Sequence, residues 1–401
     1  MSGFVLLLLS CLSARRTSSA ALPEVHAFFY LWYGADGDGG QWKHWNHAVL
    51  PHWEESVSAR FPTIGTRFTP PDILHSPYYP LQGPYSSANT TTVQRQLADM
   101  TRAGIDVAVL SWWGPGRGDT QGVSTDAAMA AILPLFDAHG GIRVAIHLEP
   151  YAGRTVASVR ADIEYLSSSY GHHACLTGRG RMTLYVYDSH HLPPHEWAQL
   201  LLPRGDDTIR NTPLDCTVYG LWLHHHHGRD LLDGGFDGVY SYFASWGFSF
   251  GSTPQNWKGM CGFARQRGLA CSLSVGPGYN DSLIRPWNAH NEKARDAGRY
   301  YDKMWDAAIR AAPEVVSITS WNEWGEGTQI EPARAWHGPA AGQGEQPVGS
   351  SSGGGGGRRY ISYGEGPEDD EAAKFLYVDR TRHWKGRLRL AAQEAASADL
   401  L

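Results

Sequence analysis

Eight strand-length apolar runs recur along the chain, most separated by segments that read as helices, and this repetition limits the fold more than any other feature. The runs are residues 25–33 (VHAFFYLWY), 105–113 (IDVAVLSWW), 142–149 (IRVAIHLE), 182–188 (MTLYVYD), 216–223 (CTVYGLWL), 238–244 (GVYSYFA), 269–275 (LACSLSV) and 315–322 (VVSITSWN). Near-continuous hydrophobicity with β-branched and aromatic residues fits strands covered on both faces. Helix-like stretches at 92–102, 125–139 and 291–311 lie between them. Strands alternating with crossover helices predict an α/β fold, a single (β/α)8 TIM barrel with a long loop after the first strand. Residues 224–233 are short for a helix, so an open doubly wound sheet is the alternative.

Composition narrows the function. With 34 Lys and Arg against 40 Asp and Glu, the formal charge is -6, and no basic excess attracts a phosphate backbone. Nucleic acid is therefore not an expected partner. No apolar run reaches the ~20 residues of a membrane-spanning helix. Sixteen Trp and nineteen Tyr supply flat rings with polar edges, suited to sugars.

Residues 4–12 form an apolar stretch followed by small residues at 18–21, resembling a secretory signal, although Arg15 and Arg16 follow it and no basic residue precedes it. Residues 1–23 are read as a signal peptide or shortened signal anchor, with a membrane tether as one outcome, and residues 24–400 as one catalytic domain. Within it, 338–358 ends in a glycine run and reads as a flexible insertion. The expected location is the secretory pathway, Golgi lumen or membrane, with secretion as the alternative. Cys175, Cys216, Cys261 and Cys271 contain no C-x-x-C pair, leaving disulfides and buried thiols equally open. Oligomeric state is not legible.

Polar and aromatic residues gather at the ends of the runs: Tyr33, Trp112, Trp113, His147, Glu149, Tyr187, Asp188, Tyr240, Tyr242, Asn322 and Glu323. Barrel active sites form at that end of the strands. Residues 35–89 make a long connection rich in Pro, His and aromatics, expected to fold over the barrel mouth. The most informative segment is 320–332, SWNEWGEGTQIEP, where Glu323 and Glu326 lie three apart just past the last run. In a bent turn such residues share a face at ~5 to 6 Å between Cβ atoms. Paired carboxylates at that separation are the equipment of retaining glycoside hydrolysis. The four successive histidines at 224–227 are read as a solvated run, because neighbouring residues cannot all face one ion. No metal or other cofactor is expected.

The segments VHAFFYLWYG, HWNHAVLPHW, PPDI, FDGVYSYFA, SVGPGYNDSLIRPWN and SITSWNEWGEGTQIEPA resemble those of glycoside hydrolase family 99. The resemblance covers about residues 25–335 and the region near 375–390. It implies a metal-independent (β/α)8 retaining endo-α-1,2-mannosidase that cuts an internal bond of glucosylated high-mannose N-glycans. An endo-α-1,2-mannanase and an inactive lectin-like protein are the alternatives. The resemblance further implies that Glu323 is a base acting on the substrate's own 2-hydroxyl, giving a 1,2-anhydro sugar, and that Glu326 is the general acid, protonated at rest. Attack by Glu323 itself, forming a glycosyl-enzyme, is the rival. Substrate-binding positions implied are Tyr33, His44, Trp45, His47, Trp112, Trp113, His147, Glu149, Tyr187, Asp188, Tyr242, Arg285 and Asn322. Residues 111–115 read SWWGP where the family has Trp-Tyr and two prolines, a departure that bears on the sugar preferred beyond the cleaved bond.

Overall fold

Burial on both faces explains why the eight runs alternate so little: each becomes a strand of one closed parallel barrel. The structure is a computed structural model and describes residues 22–36, 40–178, 180–337, 358–364 and 370–398. The barrel strands are β1 (Glu24–Phe29), β2 (Val107–Trp112), β3 (Arg143–Leu148), β4 (Thr183–Val186), β5 (Thr217–Leu221), β6 (Gly238–Tyr240), β7 (Ala270–Val275) and β8 (Val315–Ile318). Strand β1 pairs with β2 through His26 and Val107 and with β8 through Glu24 and Val315, which closes the cylinder. The open-sheet alternative is thereby excluded.

Among the described residues, eight helices of seven residues or more follow the strands: α1 (Thr90–Ala103), α2 (Thr125–His139), α3 (Val156–Tyr170), α4 (Pro194–Leu201), α5 (His227–Asp233), α6 (Pro254–Gln266), α7 (Arg299–Ala311) and α8 (Leu376–Ala398). Side-chain caps fix three of their starts. Asn89 accepts from the Thr92 amide, Ser124 from that of Ala127, and Thr155 forms a capping box with Ser158. The stretch 224–233 does hold a crossover helix, the short α5. The stretch 291–311 is α-helical only from Arg299, because Ala297 and Gly298 have left-handed backbones, at φ 46° and 91°, and break the turn. Helix α8 seals the ring between α1 and α7: Arg102 bonds Asp379, and Trp384 Nε1 donates to Asp302 Oδ1 at 2.7 Å.

The barrel interior is unusual for this architecture. Branched aliphatic layers are the norm, yet here Phe28 lies against His147, Tyr185, Tyr240 and Tyr242, with ring centroids 4.8 to 6.0 Å away. Small residues on β7 and β8 make room for these rings, and Ser274 and Ser317 join their hydroxyls at 2.7 Å. Bulk on one wall is thus matched by serine on the other, which keeps the centre filled.

Cys261 and Cys271 form a disulfide between α6 and β7, while Cys175 and Cys216 are free and buried. The expected leader falls almost wholly outside the described residues. So does the insertion 338–358, except for Arg358, which donates to the carbonyls of Leu74 and Ser76 at 2.8 and 3.0 Å. Trp336–His337 and Arg359–Tyr360 pair antiparallel at its base.

Candidate active site

The strands stop earlier than the apolar runs, so the polar ends of those runs rise into the rim. Residues 319–332 follow β8 and fold back on themselves. The Ser320 amide donates to Thr328 O at 2.9 Å, the Glu331 amide to Trp321 O at 2.8 Å, and the Glu323 amide to Ser320 Oγ at 2.7 Å. Gly325 is required for space: an added Cβ would sit 2.7 Å from Ile284 and 2.8 Å from His75. Only Gly327 needs the left-handed region, at φ 61°.

A buried cation clamps this loop from outside. Arg295 donates to Gly327 O at 2.9 Å and Gln329 O at 2.7 Å, and its guanidinium lies 4.5 to 4.7 Å from the rings of Tyr78, Tyr363 and Tyr377. Replacing Arg295 with Met strands two carbonyls and removes the cation–π contacts. The expected loss is about 2 to 4 kcal/mol of stability, read by urea unfolding, with a lower kcat because the acid-bearing loop loosens.

The loop places Glu326 in the wall of a cavity of ≈ 560 Å³, with Tyr242, Tyr279 and Arg285 near it and Trp53, Phe248 and Trp287 farther along its lining. Arg285 Nη1 donates to Glu326 Oε1 at 3.2 Å and to Asp281 Oδ2 at 3.1 Å. Glu323 is not part of that lining and is only 6 % exposed, yet Glu326, Arg285 and Glu149 all act on its carboxyl. Burial first, and then the like charge of Glu326, push the Glu323 pKa well above the ordinary range. Burial also raises Glu326, but the Arg285 cation opposes the rise. Direct contact with Arg285 favours the ionised form of Glu326, whereas the sequence reading has this acid protonated at rest. The sequence did not show that Arg285 bonds Glu326 directly.

The remaining positions divide into cavity and scaffold. Tyr242 lines the cavity with a left-handed backbone at φ 56°, and its hydroxyl bonds that of Tyr30. Tyr187 packs edge-on against it at 4.9 Å. His147 and Glu149 are buried and joined: Glu149 Oε1 accepts from Ser111 at 2.8 Å and meets His147 Nδ1 at 3.1 Å, while His147 Nε2 lies 3.1 Å from the Tyr240 hydroxyl. Arg154 donates to the carbonyls of Tyr187 and Asp188 at 2.7 and 2.5 Å, setting the turn that carries both.

Four expected sugar contacts are scaffold instead. Trp45 and Trp112 are fully buried, bonded to Tyr85 O and Asp126 Oδ1, because each indole stacks inward, on Tyr33 and Tyr165 respectively. Asn322, also fully buried, grips Tyr30 by accepting from its amide at 2.7 Å and donating to its carbonyl at 3.0 Å. Tyr33 donates to Asn322 O at 2.8 Å. His44 bonds Asp119 and stacks on Trp32, and Trp113 is half-buried and does not line the cavity. Burial lowers the His47 pKa to about 4, leaving a neutral imidazole.

Residues missed from sequence are Tyr30, Tyr279 and Asp281 at the centre, Trp53 and Trp287 at the mouth, and Glu331 behind the loop. The segments HWNHAVLPHW and SVGPGYNDSLIRPWN carried most of them.

A closed parallel barrel with two glutamates three apart on a rim loop, one of them held by an arginine in an aromatic cleft, has the architecture of a glycoside hydrolase. The chain belongs to glycosyl hydrolase family 99, whose family model matches residues 22–341. It is 44% identical over 326 residues to the glycoprotein endo-alpha-1,2-mannosidase-like protein of Mus musculus, covering 80% of this chain and 72% of that one. It is 39% identical over 315 residues to the Mus musculus glycoprotein endo-alpha-1,2-mannosidase, covering 77% and 68%. The GH99 endo-alpha-mannosidase from Bacteroides thetaiotaomicron superposes with a TM-score of 0.78 at 32% identity, covering 92% of this chain and 98% of that chain.

Proposed function

We propose that this hydrolase is a retaining endo-α-1,2-mannosidase that cuts an internal mannosidic bond of glucosylated high-mannose N-glycans. The observation that carries the reading is Glu326 held by Arg285 in the wall of an aromatic-lined cavity, with Glu323 buried three residues before it on the same loop. The axial 2-hydroxyl of an α-mannoside lies trans to its leaving group. Ionised Glu323 takes that hydroxyl's proton as the oxygen attacks C1, while Glu326 gives its proton to the leaving oxygen. The 1,2-anhydro sugar then opens when Glu326, now ionised, takes a proton from water attacking C1, and Glu323 returns a proton to O2. Two displacements retain the anomeric configuration.

This division needs Glu326 protonated when sugar is bound. A leaving oxygen seated at Glu326 competes with Arg285 for the carboxylate, favouring its protonated form. Removing the cation should act in the same direction. Arg285→Gln raises the Glu326 pKa, and since the acid is active when protonated, the alkaline limb of the kcat/KM profile moves to higher pH. A pH–rate profile measured on both proteins checks the sign.

We further propose that it works in the lumen of the secretory pathway, in the Golgi or after secretion. No helix among the described residues is long and apolar enough to cross a membrane. Incubation of the purified protein with a glucosylated high-mannose oligosaccharide tests the activity. Release of a glucosyl-mannose disaccharide supports it. Activity on mannan alone, or binding without products, replaces it with the mannanase or the lectin.

A further inference from the structure

We propose that the histidine-rich rim between β4 and α5 is a binding site for one divalent zinc-class cation, held by His226, His227 and Asp230 from the start of α5 and by His190 from the turn after β4. The sequence argued against a metal here because four successive imidazoles cannot face one ion. The fold removes that objection by using two of the four and adding ligands from elsewhere. Available ligand atoms of His226, His227 and Asp230 all lie within 4.8 Å of one another. His226 Nε2 and Asp230 Oδ2 are 3.6 Å apart, close to the ~3.4 Å that separates two ligand atoms of a tetrahedral ion at about 2.1 Å.

His190, on a different loop, groups with Asp188 and His191 in the free protein and joins this trio by turning its side chain. Its ring centroid is 5.3 Å from that of His227, and His226 lies 4.8 Å from His227. Two imidazoles on one tetrahedral ion hold their centroids about 5 Å apart. His190, His226, His227 and Asp230 all line one cavity of ≈ 310 Å³, separate from the one holding Glu326. Three imidazoles and one carboxylate suit zinc, nickel and copper rather than calcium or magnesium. His227 is buried, and its Nδ1 accepts from the Leu223 amide at 3.2 Å. Binding through Nε2 gives up that one bond, a small loss beside the ligand bonds gained. With four protein ligands the site is closed, which is the structural rather than the catalytic pattern. The ion ties the turn after β4, which begins at Tyr187 and Asp188, to the adjacent α5.

Isothermal titration of Zn²⁺ into untagged, chelator-stripped full-length protein tests this. The expected result is one equivalent bound at a micromolar Kd, with a higher Tm in the presence of zinc. His226→Ala with Asp230→Asn changes one exposed and one half-buried side chain, so the fold is retained, and should weaken binding at least tenfold. His190→Ala, on the other turn, should weaken it as well. His383→Ala, altering an exposed histidine on α8, should leave it unchanged. Absence of saturable binding, or equal losses from His383→Ala and the double variant, overturns the proposal.

Discussion

Glu326→Gln lowers kcat on a glucosylated oligosaccharide by about 10²- to 10⁴-fold, the contribution expected of a general acid. The amide keeps the size and an acceptor oxygen for Arg285, so Tm should hold and the loss should appear in kcat rather than in folding. Glu323→Gln should be equally damaging to turnover. It also removes a buried acid whose ionised form is disfavoured, so stability at neutral pH should stay level or rise. Active-site steady-state kinetics with parallel thermal melts separate these effects. If either variant retains wild-type kcat, the assigned chemistry is wrong.

The second large effect concerns Glu331, which takes no part in the proposed chemistry. Its carboxyl accepts from Tyr85 at 2.6 Å, Gln96 at 2.7 Å and Trp324 at 2.9 Å, so it ties the catalytic loop to α1 and to the long loop before it. Burial outweighs those three donors and raises its pKa to about 7. Between the unfolded value near 4.5 and the folded value near 7, the native state holds more protons than the unfolded chain. Stability therefore falls as pH rises through that window, by ~3 kcal/mol in all, and the contribution levels off above it. Glu331→Gln should remove that slope, with Gln96 turning its amide to present oxygen to the new side chain. Glu331→Leu leaves three donors unmatched and should cost roughly 3 kcal/mol or more. Urea unfolding at pH 5, 7 and 8 distinguishes the cases, the wild type minus Glu331→Gln difference isolating this group from Glu323 and Glu326.

The barrel could be read from the chain because burial on both faces leaves a direct mark: eight runs with almost no polar alternation. Short α5 was the weak link, since seven residues carry too little periodicity to identify a helix. The acid pair was legible for a similar reason: a glycine-rich turn that holds two carboxylates among tryptophans, just past an apolar strand, suits few purposes besides acid–base work on a sugar. Individual binding residues were harder. Trp45 and Trp112 look like sugar platforms in sequence, but an indole carries no local sign of which way it faces, and here both pack inward. Tyr30 was hidden by the opposite effect, sitting inside an apolar run that reads as core. The contact between Arg285 and Glu326 spans 41 residues of chain, so no local pattern could have supplied it.

The proposed chemistry leaves the C1 configuration of the sugar unchanged after two displacements. Proton NMR, recorded from the first seconds of hydrolysis of a glucosylated high-mannose oligosaccharide, follows that carbon directly. The released disaccharide should appear first as its α-anomer and only later equilibrate, with no signal from Glu326→Gln on the same timescale. Initial appearance of the β-anomer, or no released disaccharide from the wild type, would contradict it.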